Sequence, residues 1–512
     1  MVKNVSLWMA TGGDSSYPPL DKDTTADVCI IGGGIAGILA AYQIAERGFQ
    51  VAVVEANRVC AGVTGYTTAK VTSAHSLIYS KLMDTAGPKS AQAYADANQW
   101  GVQWVAGVAE SLKIDCDLSR RAMLLYGETE DERNQLQAEL DACRNVGLPV
   151  NWTDEVALPI KTVGAVRYED QVQFHPRKFV LGLAEKLANF GGKIYEQTRA
   201  LEVKEGEPCE VVTDHGTIRS RWIVVASHFP IYDPAMYLAR LAQYRDYAVA
   251  AQVRGPLAED MSIGVSEQAM SFRTQPYHDG ELLVVSGETH KTGQEPDTRK
   301  RYESLENYVR EHFDVIDIPY RWSTQDNSTP DSMPYIGRIS PRAKYCLVTT
   351  GYNAWGMSTA AFSGSILADL ISGRENEWAD AFDPNRFKGF ESLKATVKEN
   401  VNAVKHLVGD KFSDAEKMRP EDLQPGQGAI LKVEDDKVAV CRDSQGQIHA
   451  VSPICTHIGC DIAWNPAEES WDCPCHGSRF SMDGHVIQGP AVKDLAPKMI
   501  KIEANDARVS LE

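Results

Sequence analysis

From Ala26 to Ala56 the chain reads ADVCIIGGGIAGILAAYQIAERGFQVAVVEA. Apolar residues come in a short run, then a glycine cluster, then a helical stripe, then a second run. That order predicts strand, glycine turn, amphipathic helix and strand. Helical spacing follows around Ser90–Leu112 and Asp131–Asn145. The stretch RYEDQVQFHPRKFVLGLAEKLANFGGKIYEQTRALEV predicts a loop, a helix and a strand ending near Val203. GEPCEVVTDHGTIRSRWIVVASH predicts hairpin strands that turn at Asp214–Gly216. Strand-like runs between Tyr244 and Gly293, ELLVVSG among them, predict an antiparallel sheet. YCLVTTGYNAWGMSTAAFSGSILADLISG predicts strand, glycine loop and helix, and the polar stretch DPNRFKGFESLKATVKENVNAVKHLVGDKF predicts a linker helix. After Asp422 strands become short and turns frequent, as in GAILKVEDDKVAVCRDSQGQIHAVS, which predicts a small all-β domain. No internal repeat or low-complexity tract is present.

Composition narrows the function classes. At roughly 150 residues per domain, 512 residues suggest about three domains. A formal net charge of -18 with no dense basic run argues against nucleic-acid binding. The N-terminal MVKNVSLWMATGGDSS lacks the apolar core of a secretory signal. The most apolar stretch, Val28–Tyr42, is short for a membrane span and interrupted by glycines. A soluble, cytoplasmic protein is expected. Of eleven cysteines, seven are scattered singly and four lie together near the C-terminus, so the pattern is one local constellation rather than a disulfide framework.

Gly32, Gly34 and Gly37 fit G-x-G-x-x-G between the first strand and helix. The first glycine permits the tight turn, the second lets backbone amides approach a pyrophosphate, and the third lets helix and strand pack closely. The helix N-terminus then faces the phosphates. Glu55 ends the next strand where a carboxylate could accept from ribose hydroxyls. A second glycine loop, TTGYNAWGMS with Gly351 and Gly356, lies between a late strand and a helix.

These motifs, with CAGVTGYTTAKVTSAH after the second strand, FHP at Phe174–Pro176 and TPDSMPYIG at Thr329–Gly337, resemble the D-amino acid oxidase / glycine oxidase / sarcosine oxidase superfamily over roughly residues 25–385. The resemblance implies an α/β Rossmann-like FAD-binding domain, about 25–85, 145–230 and 325–385, with an α+β substrate domain built on an antiparallel sheet, about 86–144 and 231–324. It places Gly32, Gly34, Gly37, Glu55 and Arg58 on the ADP half of FAD, Val203 on the adenine, Thr67, Thr68, Ala69 and Lys70 by the flavin, and Gly351, Gly356 and Met357 at the isoalloxazine. No Cys or His matches the covalent attachment sites of family members, so non-covalent FAD is expected. Some sarcosine-oxidase-like enzymes hold the substrate carboxylate with a lysine in the last glycine loop, where Ser358 stands in this chain. Two residues are candidates for catalysis. Arg273 has a fork that matches a carboxylate, with a strand-edge arginine as the plainer reading. Lys291, next to His290, could approach the flavin ring, or be a solvated loop lysine. Tyr352 and Trp355 could wall an amine pocket or simply pack, and His75 reads as a satisfied structural histidine.

The four clustered cysteines form CTHIGC and CPCHGSRF, spaced C-x-H-x2-C-x12-C-x-C-H. Structural zinc commonly uses C-x2-C pairs. Two Cys/His pairs match a Rieske [2Fe-2S] centre instead, with two Cys on one iron and two His on the other. Cys455 with His457 and Cys473 with His476 supply those pairs, and Gly459 and Gly477 permit the loops. Residues 422–512 resemble the Rieske domain of cytochrome bc-type complexes, with residues 386–421 as the linker helix. In the high-potential members the two further cysteines form a disulfide, which the resemblance carries to Cys460 and Cys475. Those members also have Ser and Tyr hydroxyls that donate to cluster sulfurs. Ser478 is present, but Phe480 replaces the Tyr, and fewer hydrogen bonds to sulfur lower the potential.

The two halves together imply a flavin-dependent oxidoreductase acting on an amine or amino-acid-like substrate. FAD would pass electrons to the Rieske cluster and on to an external acceptor protein or quinone. The alternatives are entry of electrons through the cluster from a donor, and a redox carrier or sensor module without its own substrate.

Overall fold

The computed structural model describes residues 2–386, 418–433, 436–502 and 509–511. Residues 387–417, most of the expected linker helix, lie outside the described residues. The chain divides into two compact units. One comprises Met1–Ala235, Asp246–Thr289 and Tyr302–Lys388; the other comprises Met236–Arg245, His290–Arg301 and Gly389–Glu512.

The first apolar run becomes the strand Thr24–Ile31, whose last four residues are all buried. Such a run suits a central parallel strand, covered on both faces. It pairs in parallel with Val51–Val54 on one side and Thr217–Val225 on the other. Lys193–Tyr195 and Cys346–Thr350 extend the parallel core outward. Antiparallel Tyr335–Arg338 closes one edge of this eight-stranded sheet. The hairpin expected at Asp214–Gly216 joins Cys209–Thr213 to Thr217–Val225. Helix Ile35–Glu46 packs against helix Gly356–Ser372 so closely that a Cβ on Gly364 would lie 3.2 Å from the Ala40 Cα.

A ten-stranded sheet carries the antiparallel strands expected between Tyr244 and Gly293: Ala242–Val253, Met261–Gly264, Ser271–Tyr277 and Gly280–Lys291. Beside Met261–Gly264 it continues through Ser119–Gly127 and Gly164–Gln173 to the short strand Lys70–Val71. The helices expected around 90–112 and 131–145 are Pro88–Ser111 and Glu130–Asn145. Thr129 and Glu132 cap the second reciprocally.

Residues before Asp23 carried no structural expectation, yet they are folded into the first unit. Lys3–Asn4 pairs in parallel with Tyr320 and Arg321. Ser6 then caps the short helix Leu7–Thr11, accepting from the Met9 amide at 3.0 Å. Leu7 and Trp8 are buried.

The second unit holds a three-stranded sheet, Gly428–Val433, Asp436–Arg442 and Ile448–Val451. A four-stranded sheet follows: Ala463–Asn465, Ser470–Asp472, Arg479–Phe480 and Val486–Gln488. Trp471, Phe480, Val451 and Leu495 fill the core around the cysteine loops. No helix of the described residues is long and apolar enough to cross a membrane.

Candidate functional site

Steric limits explain the glycine turn. A Cβ on Gly37 would sit 1.8 Å from the Gly32 carbonyl oxygen, and one on Gly32 would sit 2.5 Å from the Ala226 oxygen. Gly32 also has φ +115°, a backbone region that L side chains rarely adopt. Gly34 is the N-cap of Ile35–Glu46 and offers no side-chain cap. Thr64 Oγ1 accepts from the Ile35 amide at 3.0 Å, and the amides after it in the first turn are the ones suited to phosphate. Glu55 accepts from the Gly33 amide at 2.7 Å and the Asn57 amide at 2.8 Å. Burial raises its pKa against those two hydrogen bonds. A carboxylate has about four acceptor directions, so room remains for a ribose hydroxyl. A turn where Gly32 and Gly37 leave no room for a Cβ of their own, beside an ordered carboxylate, fits the ADP half of FAD.

Arg58, expected at the same half, donates from Nη1 to the Ser15 carbonyl at 2.5 Å. Val203 lies on the strand Ala200–Lys204 and is buried. Gly351 has φ +72°, and Gly356 and Met357 open the helix Gly356–Ser372.

The segment Thr67–Lys70 is held from several directions. Trp8 donates from its indole to the Thr67 carbonyl at 2.6 Å, and Trp322 donates to the Tyr66 carbonyl at 2.8 Å. Ser6 donates to the Gly65 carbonyl. Arg273 donates from Nη1 to the carbonyls of Ala69 at 2.7 Å, Phe174 at 3.1 Å and Thr68 at 3.3 Å. Its Nε donates to the Thr274 carbonyl and its Nη2 to Gln275. The guanidinium also lies 5.2 Å from the Trp8 ring. Arg273 is thus a buried clamp on the loop, with four of its five N–H groups donating to protein oxygens. Trp8 and Trp322 escape pattern reading; the only trace of Trp8 is the brief apolar Leu7–Met9.

His75 is the satisfied structural histidine. Its Nε2 faces the Thr72 carbonyl at 2.6 Å and its Nδ1 faces the Tyr94 hydroxyl at 2.7 Å. A carbonyl only accepts, so Nε2 carries the proton. Burial holds the pKa down to about 3, leaving a neutral ring that stacks on Trp355 at 4.5 Å. Ser358 donates to Asn98 Oδ1 at 2.9 Å in the same buried network. Tyr352 is buried with its hydroxyl between Thr349 and Ser363, so it packs rather than lining an open pocket.

Lys291 ends the strand Gly280–Lys291 and belongs to the second unit, whereas Thr67–Lys70 belongs to the first. The Lys291 carbonyl accepts from the Gln294 amide at 3.2 Å and from His290 Nδ1 at 2.9 Å.

The two cysteine loops share one design. The Gly459 amide donates to the Cys455 carbonyl at 3.0 Å, and the Gly477 amide donates to the Cys473 carbonyl at 2.9 Å. Both glycines have positive φ, +85° and +71°. Each loop therefore folds back on its first cysteine and presents Cys and His together. Cys455 and Cys473 are buried with their sulfurs in hydrogen-bonding contact, and the rings of His457 and His476 are 5.2 Å apart. The loops thus pair two thiols and pair two imidazoles, a donor set that suits a Rieske cluster. Ser478 hydrogen-bonds to Cys455, in line with its expected place beside a cluster sulfur. Cys460 and Cys475 form a disulfide with Cα atoms 6.5 Å apart. Their sulfurs and that of Cys473 lie within 4.8 Å of one another, but the bridged pair has no thiolate left to offer a metal.

Comparison with known proteins agrees with both halves. Residues 27–370 match the family model for FAD dependent oxidoreductases, and residues 415–499 match that for the Rieske [2Fe-2S] domain. The chain is 36% identical over 492 residues to the putative Rieske 2Fe-2S iron-sulfur protein YhfW of Bacillus subtilis, covering 96% of each chain. It is 23% identical over 413 residues to the gamma-glutamylputrescine oxidoreductase of Escherichia coli, covering 77% of this chain and 93% of that one. Among solved structures, glycine oxidase from Geobacillus kaustophilus superposes with a TM-score of 0.60 at 19% identity, covering 71% of this chain and 100% of that one. Two cofactor sites built from separate stretches of sequence, each matched by its own family model, lead to one conclusion: the chain belongs to the FAD dependent oxidoreductase family, in the branch that carries a C-terminal Rieske [2Fe-2S] domain.

Proposed function

We propose that the protein oxidises a C–N bond of an amine or amino-acid-like substrate and that the electrons leave through the Rieske domain to an external acceptor. The observation that carries this reading is the presence in one chain of the Gly32–Gly37 cradle and the Cys455–His476 double loop. FAD supplies two-electron oxidation of substrate and a [2Fe-2S] cluster supplies one-electron carriage. Tethering both in one chain raises the effective concentration of each at the other. The substrate class rests on kinship: the relatives named above are a gamma-glutamylputrescine oxidoreductase and a glycine oxidase.

The chain's own residues have distinct tasks in this reading. Gly32, Gly34 and Gly37 admit the pyrophosphate, Glu55 holds the ribose, and the clamped loop Thr67–Lys70 orients the flavin ring. Gly351, Gly356 and Met357 bring a helix N-terminus to the same ring. Cys455, Cys473, His457 and His476 would hold the cluster, which would supply one-electron carriage, with the Cys460–Cys475 bridge tying the loops together. Arg273 acts through the loop it clamps.

Anaerobic mixing with a panel of amines and amino acids tests the proposal. Bleaching of flavin absorbance together with a reduced-Rieske EPR signal is the expected result. Reduction by ferredoxin or an NAD(P)H-dependent reductase, with no amine effective, would reverse the direction of electron flow and overturn it.

A further inference from the structure

We infer that Lys70 and Gln173 form the seat of a substrate that carries both a carboxylate and an amine a few bonds apart, with Lys70 Nζ on the carboxylate and Gln173 Oε1 accepting from the amine. This deepens the proposed function and rests on its placing of Thr67–Lys70 at the flavin.

Lys70 and Gln173 are direct Cα partners on the antiparallel strands Lys70–Val71 and Gly164–Gln173. Directly opposed residues project their side chains from the same face of a sheet, with Cβ atoms roughly 5 Å apart. Both are buried, Lys70 at 7% exposure and Gln173 at 2%. Lys70 Nζ donates to Ser271 Oγ, leaving two of its three N–H groups to place. Among the described residues no carboxylate pairs with it. Asp117, the acid that acts on the neighbouring Arg273, is engaged by Lys178 at 3.0 Å and by Gln275 at 2.9 Å. Arg273, two residues beyond Ser271 on the same strand, adds positive charge rather than relieving it. Gln173 Oε1 is buried and accepts no hydrogen bond.

A buried cation with no counter-ion and a buried acceptor with no donor are both costly. One ligand answers both. A carboxylate alone would satisfy Lys70 and leave Gln173 Oε1 unmet. A simple alkylamine would satisfy Gln173 but place a further positive charge beside Lys70 and Arg273. An amino acid brings the anion to the lysine and the N–H to the amide oxygen, and the short span between opposed side chains selects a compact one. Burial and the neighbouring Arg273 pull the Lys70 pKa down to about 7, and a bound carboxylate would restore its charge.

The test uses the FAD-loaded full chain, titrated with acetate, benzoate and 2-aminobenzoate while the flavin absorbance is followed. The wild type should bind the carboxylates and hold 2-aminobenzoate more tightly than benzoate. Lys70→Met should weaken all of them at least tenfold. Gln173→Leu should keep benzoate affinity and erase the preference for 2-aminobenzoate. Gln173→Glu, which supplies Lys70 with an internal carboxylate, should block binding even if Lys70→Met fails to fold. Absence of any carboxylate response in the wild type, or unchanged affinities in the variants, overturns the assignment. The amine panel separates the two claims. Flavin bleaching only by amines without a carboxylate would discard this seat and keep the oxidation reading. Carboxylate binding at Lys70 with no amine able to bleach the flavin would do the reverse.

Discussion

At the residue scale, the flavin loop depends on side chains far from it in sequence. Trp8 is fully buried and its indole N–H satisfies the Thr67 carbonyl. Trp8→Phe keeps most of the packing but leaves that carbonyl without its donor, at about 1–3 kcal/mol. The expected outcome is faster FAD release, read as the rise of free-flavin fluorescence on dilution, with a modest loss of thermal stability. Equal release rates would make Trp8 a packing residue only. Phe480 poses the converse question. It is fully buried opposite Trp471, in the same core as Cys455 and Cys473. Phe480→Tyr offers one more hydrogen-bond donor to the sulfurs, and such bonds favour the reduced cluster. A redox titration should show a higher midpoint potential in the variant. A potential that stays level or falls would remove Phe480 as the cause of any low value.

At the scale of elements, the second unit contains a group of four charges, with Arg245 and Asp472 buried and Glu468 and Arg479 half-buried. Arg245 pairs with Glu468 at 2.8 Å and lies 3.7 Å from Asp472. Arg479 reaches Asp472 at 3.0 Å and also pairs with Glu468. Burial disfavours the charge on Asp472, but Arg479 and Arg245 outweigh that and hold its pKa below the usual range. Arg245→Met takes a buried cationic partner from Asp472, itself buried, and from Glu468, a loss of about 3–5 kcal/mol. Adding Glu468→Gln should recover part of it, as thermal unfolding followed at the cluster absorbance would measure. An unchanged melting temperature in the single variant would show the network to be dispensable. The strands and helices with a sustained period were legible in the sequence, from Thr24–Val54 to the short strands after Asp422. So were both glycine loops and the Cys/His spacing, because each is local. The helix Leu7–Thr11 was not, since five residues make barely more than one turn and show no period. Nor was the grouping of Met236–Arg245 and His290–Arg301 with the C-terminal residues. It rests on pairs such as Arg245–Glu468, 223 positions apart, and Thr298–Asn465, 167 apart, which no local pattern announces. Arg273 shows a similar limit: an arginine fork fits a carboxylate in principle, but here carbonyls from two distant segments take its Nη1.

For the whole molecule, the direction of electron flow decides what loss of the cluster does. If electrons start at the substrate, the flavin stands upstream. Cys473→Ala, which removes one of the two proposed thiolate ligands, should then leave anaerobic bleaching of the flavin by substrate within about twofold of the wild-type rate, because that step needs only the first half of the chain. Multiple turnover with a one-electron acceptor should collapse, since the route from flavin to acceptor is cut. If electrons enter through the Rieske domain, the same variant should lose flavin reduction by the donor. The fully buried position of Cys473 makes misfolding a competing cause, and Cys455→Ala on the other loop provides an independent check. The decisive result is the ratio of single-turnover bleaching to steady-state turnover. A large rise in both variants places the cluster after the flavin, and equal losses of both rates would refute that order.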